Sequence, residues 1–208
     1  NFFLFVPRGT GKSTSTGLTF KEALTINLLE PDVFRRFAAR PETLLDLVQG
    51  QTEAKAVIID EVQKVPELLD PVHQLIEEKR GCQFVLTGSS ARKLKRTDID
   101  LLAGRALLKT MHPFMAAELS HRFSLEEALE IGLLPIILAS SNPEESLRSY
   151  TALYLKEEVQ IEGLVRNICN FARFLEVISF THGASRNIGN NARESEIERK
   201  TIEGYVGI

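Results

Sequence analysis

Three short stretches carry residue types that handle phosphate when a fold brings them together. The first is Pro7-Arg8-Gly9-Thr10-Gly11-Lys12-Ser13-Thr14, which follows an apolar run, Phe2-Phe3-Leu4-Phe5-Val6. Glycine, four residues, then Gly-Lys-Ser/Thr between a strand and a helix is the pattern of a loop whose backbone N–H groups surround a phosphate. Gly11-Lys12-Ser13 is intact and Gly9 adds a second glycine, but the first position of the pattern is Val6. A β-branched residue resists the sharp turn that glycine allows, so Val6 is expected to disturb the loop and slow turnover. The candidate nucleotide-binding residues are Arg8, Gly9, Thr10, Gly11, Lys12, Ser13 and Thr14. Lys12 would reach the β- and γ-phosphates, and the Ser13 hydroxyl would bind Mg²⁺. Arg8 either meets the ligand or a partner, or stays solvated.

The second stretch is Val57-Ile58-Ile59-Asp60-Glu61, an apolar strand ending in two adjacent acids. Asp60 would hold Mg²⁺, and Glu61 would orient and polarise the attacking water as general base. Without the loop upstream, the same acids would be read as caps of the next helix. The third stretch, Gln83-Phe84-Val85-Leu86-Thr87-Gly88-Ser89-Ser90, is another buried strand. Thr87 and Ser89 stand where a polar side chain senses the γ-phosphate in loops of this kind with an extra strand between loop and acids. They equally suit a tight turn and the cap of a helix starting near Ala91. Arg105 enters a strand after a glycine turn and is a candidate for compensating transition-state charge. It is also readable as a surface arginine or an interdomain salt-bridge partner.

These residues need elements to place them. Apolar, β-branched runs at 2–6, 23–29, 56–60, 83–87 and 106–111 read as strands, the third and fourth buried on both faces as in a parallel sheet. Between those two, Leu68, Leu69, Val72, Leu75 and Ile76 recur at helical spacing, punctuated by Pro66 and Gly81. Strand, helix, strand in this order implies a right-handed crossover. The fold class is therefore α/β, a P-loop core with a parallel sheet and an extra strand between the loop strand and the acidic strand. After about residue 119 the strand signals stop. Ser124-Leu125-Glu126-Glu127 has capping-box spacing, and Asn142-Pro143-Glu144-Glu145 offers an N-cap followed by proline. Residues 143–162 and 167–182 read as helical, and 187–205 as two short helices with a turn near 195–198. This divides the chain into a core over 1–120 and a helical region over 121–208.

Composition excludes more than it selects. With 43% hydrophobic and 25% charged residues, the sequence is that of an ordinary globular chain. A net charge of −3 gives no global attraction to nucleic acid or anionic membrane. Local contact with nucleic acid would fall to Arg92-Lys93-Leu94-Lys95-Arg96. Cys82 and Cys169 lie far apart, and His73, His112, His121 and His182 lack ligand spacing, so neither a disulfide framework nor a zinc site is expected. The thiols read as buried and structural, in a reducing cytoplasmic setting. The apolar stretch 131–139 is too short, and too broken by Gly132 and Pro135, to span a bilayer. The chain opens without Met inside an apolar run, and it is expected to be a piece of a longer protein.

Taken together, AVIIDEVQKVPELLDPVHQLIEE, FVLTGSSARKLKR and LLAGRALLKTMHPFMAAEL resemble bacterial and archaeal AAA-type ATPases of the domain-14 kind. The segment from YLKEEVQIEGLVRNICNFARFLEV to RKTIEGY resembles the start of the C-terminal domain of unknown function (the 4143 class) that accompanies them. The resemblance implies ATP and Mg²⁺ as ligands, hydrolysis of ATP, and a cytoplasmic conformational switch or DNA-associated role. Two alternatives stay open, a nucleic-acid-binding module regulated by ATP and a degenerate, non-hydrolysing scaffold. A DNA or protein partner and an oligomer are compatible with all three, whereas a membrane is not expected. The chain departs from the family's pattern at Val6, in the poor helix formers Ser15-Thr16-Gly17-Leu18-Thr19, and at Glu196, where a helix-turn-helix would carry glycine.

Overall fold

The computed structural model describes residues 1–51, 54–78, 81–88, 102–154, 165, 167–181, 183 and 187–206. They fall into two compact units, Asn1–Ser141 and Asn142–Ile208.

The first unit is built on a five-stranded parallel sheet of order β2-β3-β4-β1-β5. Its strands are β1 (Phe2–Phe5), β2 (Leu24–Asn27), β3 (Ala56–Asp60), β4 (Gln83–Gly88) and β5 (Leu107–Thr110). β4 lies between β1 and β3, the extra strand expected from the sequence. The three inner strands carry the apolar runs because both of their faces are covered. Val57, Ile59, Val85 and Leu86 are fully buried, and the Phe3 and Phe5 rings stack on one face of β1 at 5.7 Å. Edge strand β5 differs, with all four of its residues exposed.

Helices α1 (Lys12–Thr19), α2 (Pro31–Ala39), α3 (Thr43–Gly50) and α4 (Leu69–Glu77) connect the strands. The helix expected from Pro66 begins as a 3₁₀ turn, Pro66–Leu68, and becomes α-helical only at Leu69. Its Leu68, Leu69, Val72 and Leu75 face the core, as their spacing predicts. α1 forms in spite of its threonines, two of which bond back onto it. The hydroxyls of Thr16 and Thr19 donate to the carbonyls of Lys12 and Ser15, so these side chains bond along the helix instead of competing with it. After β5 come α5 (Ala116–Leu119), α6 (Leu125–Ile131, capped by Ser124) and α7 (Pro135–Leu138).

The second unit holds α8 (Pro143–Tyr154), α9 (Ile168–Ser179), α10 (Ile188–Ser195) and α11 (Arg199–Val206). Asn167 and Asn187 cap α9 and α10, each accepting a backbone N–H at 3.1 Å. Phe171, Phe174, Ile202 and Tyr205 form a small core, with the Phe171 and Tyr205 rings edge to face at 5.1 Å. Among the described residues, no helix is long and apolar enough to cross a membrane.

Candidate functional site

The loop between β1 and α1 takes its shape from residues at both ends. Val6 is buried, and its N–H donates to the Gly88 carbonyl at 3.1 Å, so the β1–β4 ladder continues one residue beyond β1. Its φ is not positive, whereas among the described residues other than glycine Glu61, Leu102, Ser120 and Glu196 have positive values. The expectation that Val6 disturbs the loop is thus corrected. At this position the backbone is still leaving a strand, where a β-branched residue is well suited. The left-handed turns come later, at Gly9 (φ 79) and Gly11 (φ 87), and both are glycine. Thr10 is buried inside the loop, where its hydroxyl donates to the Pro7 carbonyl at 2.8 Å. Its side chain braces the loop and leaves phosphate contact to the backbone.

Parallel strands end their C-termini on one edge, and that edge assembles the site. Lys12, at the start of α1, lies 2.8 Å from Asp60 Oδ1 and also pairs with Glu61 Oε1. All three side chains are about 15% exposed, open to the cleft but mostly shielded. Thr87, 1% exposed at the end of β4, donates its hydroxyl to Asp60 Oδ1. Asp60 is therefore held from two sides, by a neutral donor and by a cation. Glu61 adopts a left-handed backbone (φ 60, ψ 44) that swings it off the strand toward Lys12.

A cleft of about 720 Å³ opens over these groups. Arg8, Gly9, Gly11, Lys12, Ser13, Thr14, Asp60 and Glu61 give it a polar lining. Val6, Pro7, Leu29, Pro135, Ile136 and Ala139 give it an apolar flank. The last three come from a segment more than a hundred residues beyond the loop. It is fixed there by Ile136, whose N–H donates to the Gly9 carbonyl at 3.1 Å, and by Ile137, which is 1% exposed.

The predicted residues therefore separate. Lys12, Ser13, Thr14, Asp60 and Glu61 are gathered at one cleft, and Thr87 supports Asp60 from beneath. Arg105 is not brought there. It precedes β5, whose Leu107 pairs with Phe2, so it belongs to the opposite edge of the sheet, at least roughly 13 Å away along the strands. Its guanidinium pairs instead with Glu77 at the end of α4. Both residues belong to the first unit, so the pair is not the interdomain bridge that the sequence allowed. Ser89 and the basic run Arg92-Lys93-Leu94-Lys95-Arg96 lie outside the described residues. Cys82 is partly buried, which pushes its thiol above the ordinary value, but Cys169 is exposed, against expectation. Among the described residues, no group of three or more His, Cys, Asp or Glu side chains is placed to hold a metal ion by itself.

Three contributors escaped the sequence reading. Pro135 and Ile136 had no detectable signal, because nothing in their spacing ties them to the loop. Gln63 follows Glu61 by two residues, and only the left-handed turn at Glu61 lets its Nε2 donate back to Glu61 Oε2.

A family model described as AAA domain matches residues 2–120, over half the chain. Several solved structures are similar. Replication initiator DnaA bound to AMPPCP and single-stranded DNA shares 12% identity, with 99% of this chain and 80% of that one covered and a TM-score of 0.40. AMPPCP-bound DnaA from Aquifex aeolicus shares 13% identity over 99% and 80% of the two chains, at a TM-score of 0.33. C. elegans PCH-2 shares 13% identity over 100% and 62%, at a TM-score of 0.40. No curated protein matches the chain.

Proposed function

The chain belongs to the AAA domain family, and from that premise we propose that it binds ATP with Mg²⁺ and hydrolyses it to drive a conformational switch. The observation that carries the reading is the convergence of Lys12, Asp60 and Glu61 at the mouth of the glycine loop. Two carboxylates around one lysine mark a place where phosphate oxygens can compete for the ammonium. Backbone N–H groups of the loop and of the first turn of α1 surround the β-phosphate, and the helix N-terminus adds positive potential. Lys12 then moves from the acids to the phosphates. That leaves Glu61 with a free oxygen to orient a water and take its proton.

The donors offered to Mg²⁺ fit that ion. A Ser13 hydroxyl and one Asp60 carboxylate are hard oxygen ligands, an incomplete set of the kind Mg²⁺ completes with phosphate oxygens and water. Bound there, the ion supplies positive charge against the β- and γ-phosphates. The apolar flank formed by Leu29, Pro135, Ile136 and Ala139 provides a surface for the nucleobase. The degenerate-scaffold alternative is disfavoured because loop lysine, hydroxyl and both acids are placed together. The nucleic-acid alternative gains nothing from α10 and α11, which expose Arg193, Arg199 and Lys200 beside Glu194, Glu196, Glu198 and Glu203. We place this work in a reducing, cytoplasmic setting, with 1–120 as the ATPase domain and 121–208 as the helical region, whose first part, up to Ser141, shares the compact unit of the cleft.

Calorimetric titration with ATP and Mg²⁺ tests the reading. Saturable binding that disappears in Lys12→Ala supports it. Equal binding by both proteins would place the nucleotide elsewhere.

A further inference from the structure

The turn after β3 is shaped by a side chain with no assigned role. The left-handed conformation of Glu61, rare for a residue with a side chain, sends the chain into the 3₁₀ turn Val62–Lys64. Val62 is fully buried there and Gln63 is 9% exposed. Two contacts of the Gln63 carboxamide bear on the site. Its Nε2 donates to Glu61 Oε2 at 2.5 Å. It also lies against Gly88, so closely that a methyl group there would stand 2.2 Å from Gln63 Oε1 and 3.1 Å from its Cδ. Gly88 is thus needed for room, not for an unusual φ. The carbonyl of the same Gly88 accepts the Val6 N–H, at the base of the phosphate loop.

Both oxygens of Glu61 are accordingly engaged, Oε1 by Lys12 and Oε2 by Gln63. These two bonds differ in what a nucleotide does to them. Phosphate oxygens attract the Lys12 ammonium, but a neutral carboxamide is held far less by them. Breaking the first bond and keeping the second leaves Oε1 free and aimed, with Oε2 anchored.

We infer that Gln63 is a positioning residue: wedged against Gly88, it anchors Glu61 by Oε2 and ties the aim of that carboxylate to the end of β4. The inference rests on the proposed role of Glu61 as general base. A ligand that shifts β4 would thereby reach the base through Gly88 and Gln63, without touching it.

Gln63→Leu keeps the volume and removes the donor. Nucleotide affinity should stay within about twofold while kcat falls roughly 10- to 100-fold, part of what a general base contributes. Gly88→Ala should lower kcat in the parent chain but add nothing to Gln63→Ala, since its effect runs through the carboxamide. A Gln63→Leu protein with full kcat, or with kcat and affinity falling together, overturns the inference. A readout independent of turnover is the Gln63 side-chain amide in ¹⁵N NMR spectra of the whole chain. Its protons should be protected from exchange, and both Glu61→Ala and Gly88→Ala should remove the protection. Unprotected protons in the parent chain, or protection that survives both changes, also overturn it. Absence of hydrolysis by the parent chain would count against the proposed function alone and leave this measurement decisive.

Discussion

Val6 shows how one residue's meaning depends on where the backbone turns. In the sequence it occupies a glycine position of a phosphate loop and reads as a defect. In the fold it is the last residue of a β-ladder, 2% exposed, with its N–H on Gly88. Replacing it by glycine should therefore help nothing. Val6→Gly removes a buried side chain and loosens the backbone, at a cost of roughly 3 kcal/mol in unfolding free energy. Urea denaturation checks this, and ATP turnover by the variant should not exceed that of the parent. The acids were legible at this scale because Asp60 and Glu61 end an apolar strand downstream of Gly11-Lys12-Ser13. Arg105 was misplaced because a residue's number along a strand does not say which edge of the sheet it meets. Only the pairing of Leu107 with Phe2 decides that.

Among the elements, β3 and β4 were the most legible, since their apolar runs have no reading except burial on both faces. The 3₁₀ start of the Pro66 helix was not legible, because the hydrophobic spacing that marks a helix is satisfied from Leu68 onward in either form. The turn between α10 and α11 is a further case. Glu196 occupies a left-handed position (φ 55, ψ 37) where a glycine would sit without strain. The turn closes all the same, with the Ile197 N–H donating to the Ala192 carbonyl at 3.0 Å. Glu196→Gly should stabilise the helical unit by about 1 kcal/mol, because the strain relieved exceeds the added freedom of the unfolded chain. The exposed Arg173 partner at 3.8 Å is too weak to offset that gain. Thermal unfolding followed by helix content should show the rise. A fall would mean that Glu196 has a partner worth more than its strain.

At the scale of the molecule, the cleft joins residues that the sequence keeps far apart. β1, β3 and β4 bring the loop and acids to one edge, and α7 closes over Gly9 through Ile136. That last contact predicts a spread of protection. ATP should slow amide exchange at 8–14 and at 60–63, and also at 136–138, because a loop held by nucleotide holds the carbonyl that Ile136 donates to. Protection confined to the loop would separate α7 from the site. The central claim is that Lys12 binds the phosphates and Glu61 drives their hydrolysis. The measurement that tests it most directly is ATP affinity and turnover in the parent chain, Lys12→Ala and Glu61→Gln, with Mg²⁺ present. Lys12→Ala should bind no ATP, and Glu61→Gln should bind it at parental affinity with turnover lost. Full turnover by Glu61→Gln, or ATP held as tightly without Lys12, would contradict it.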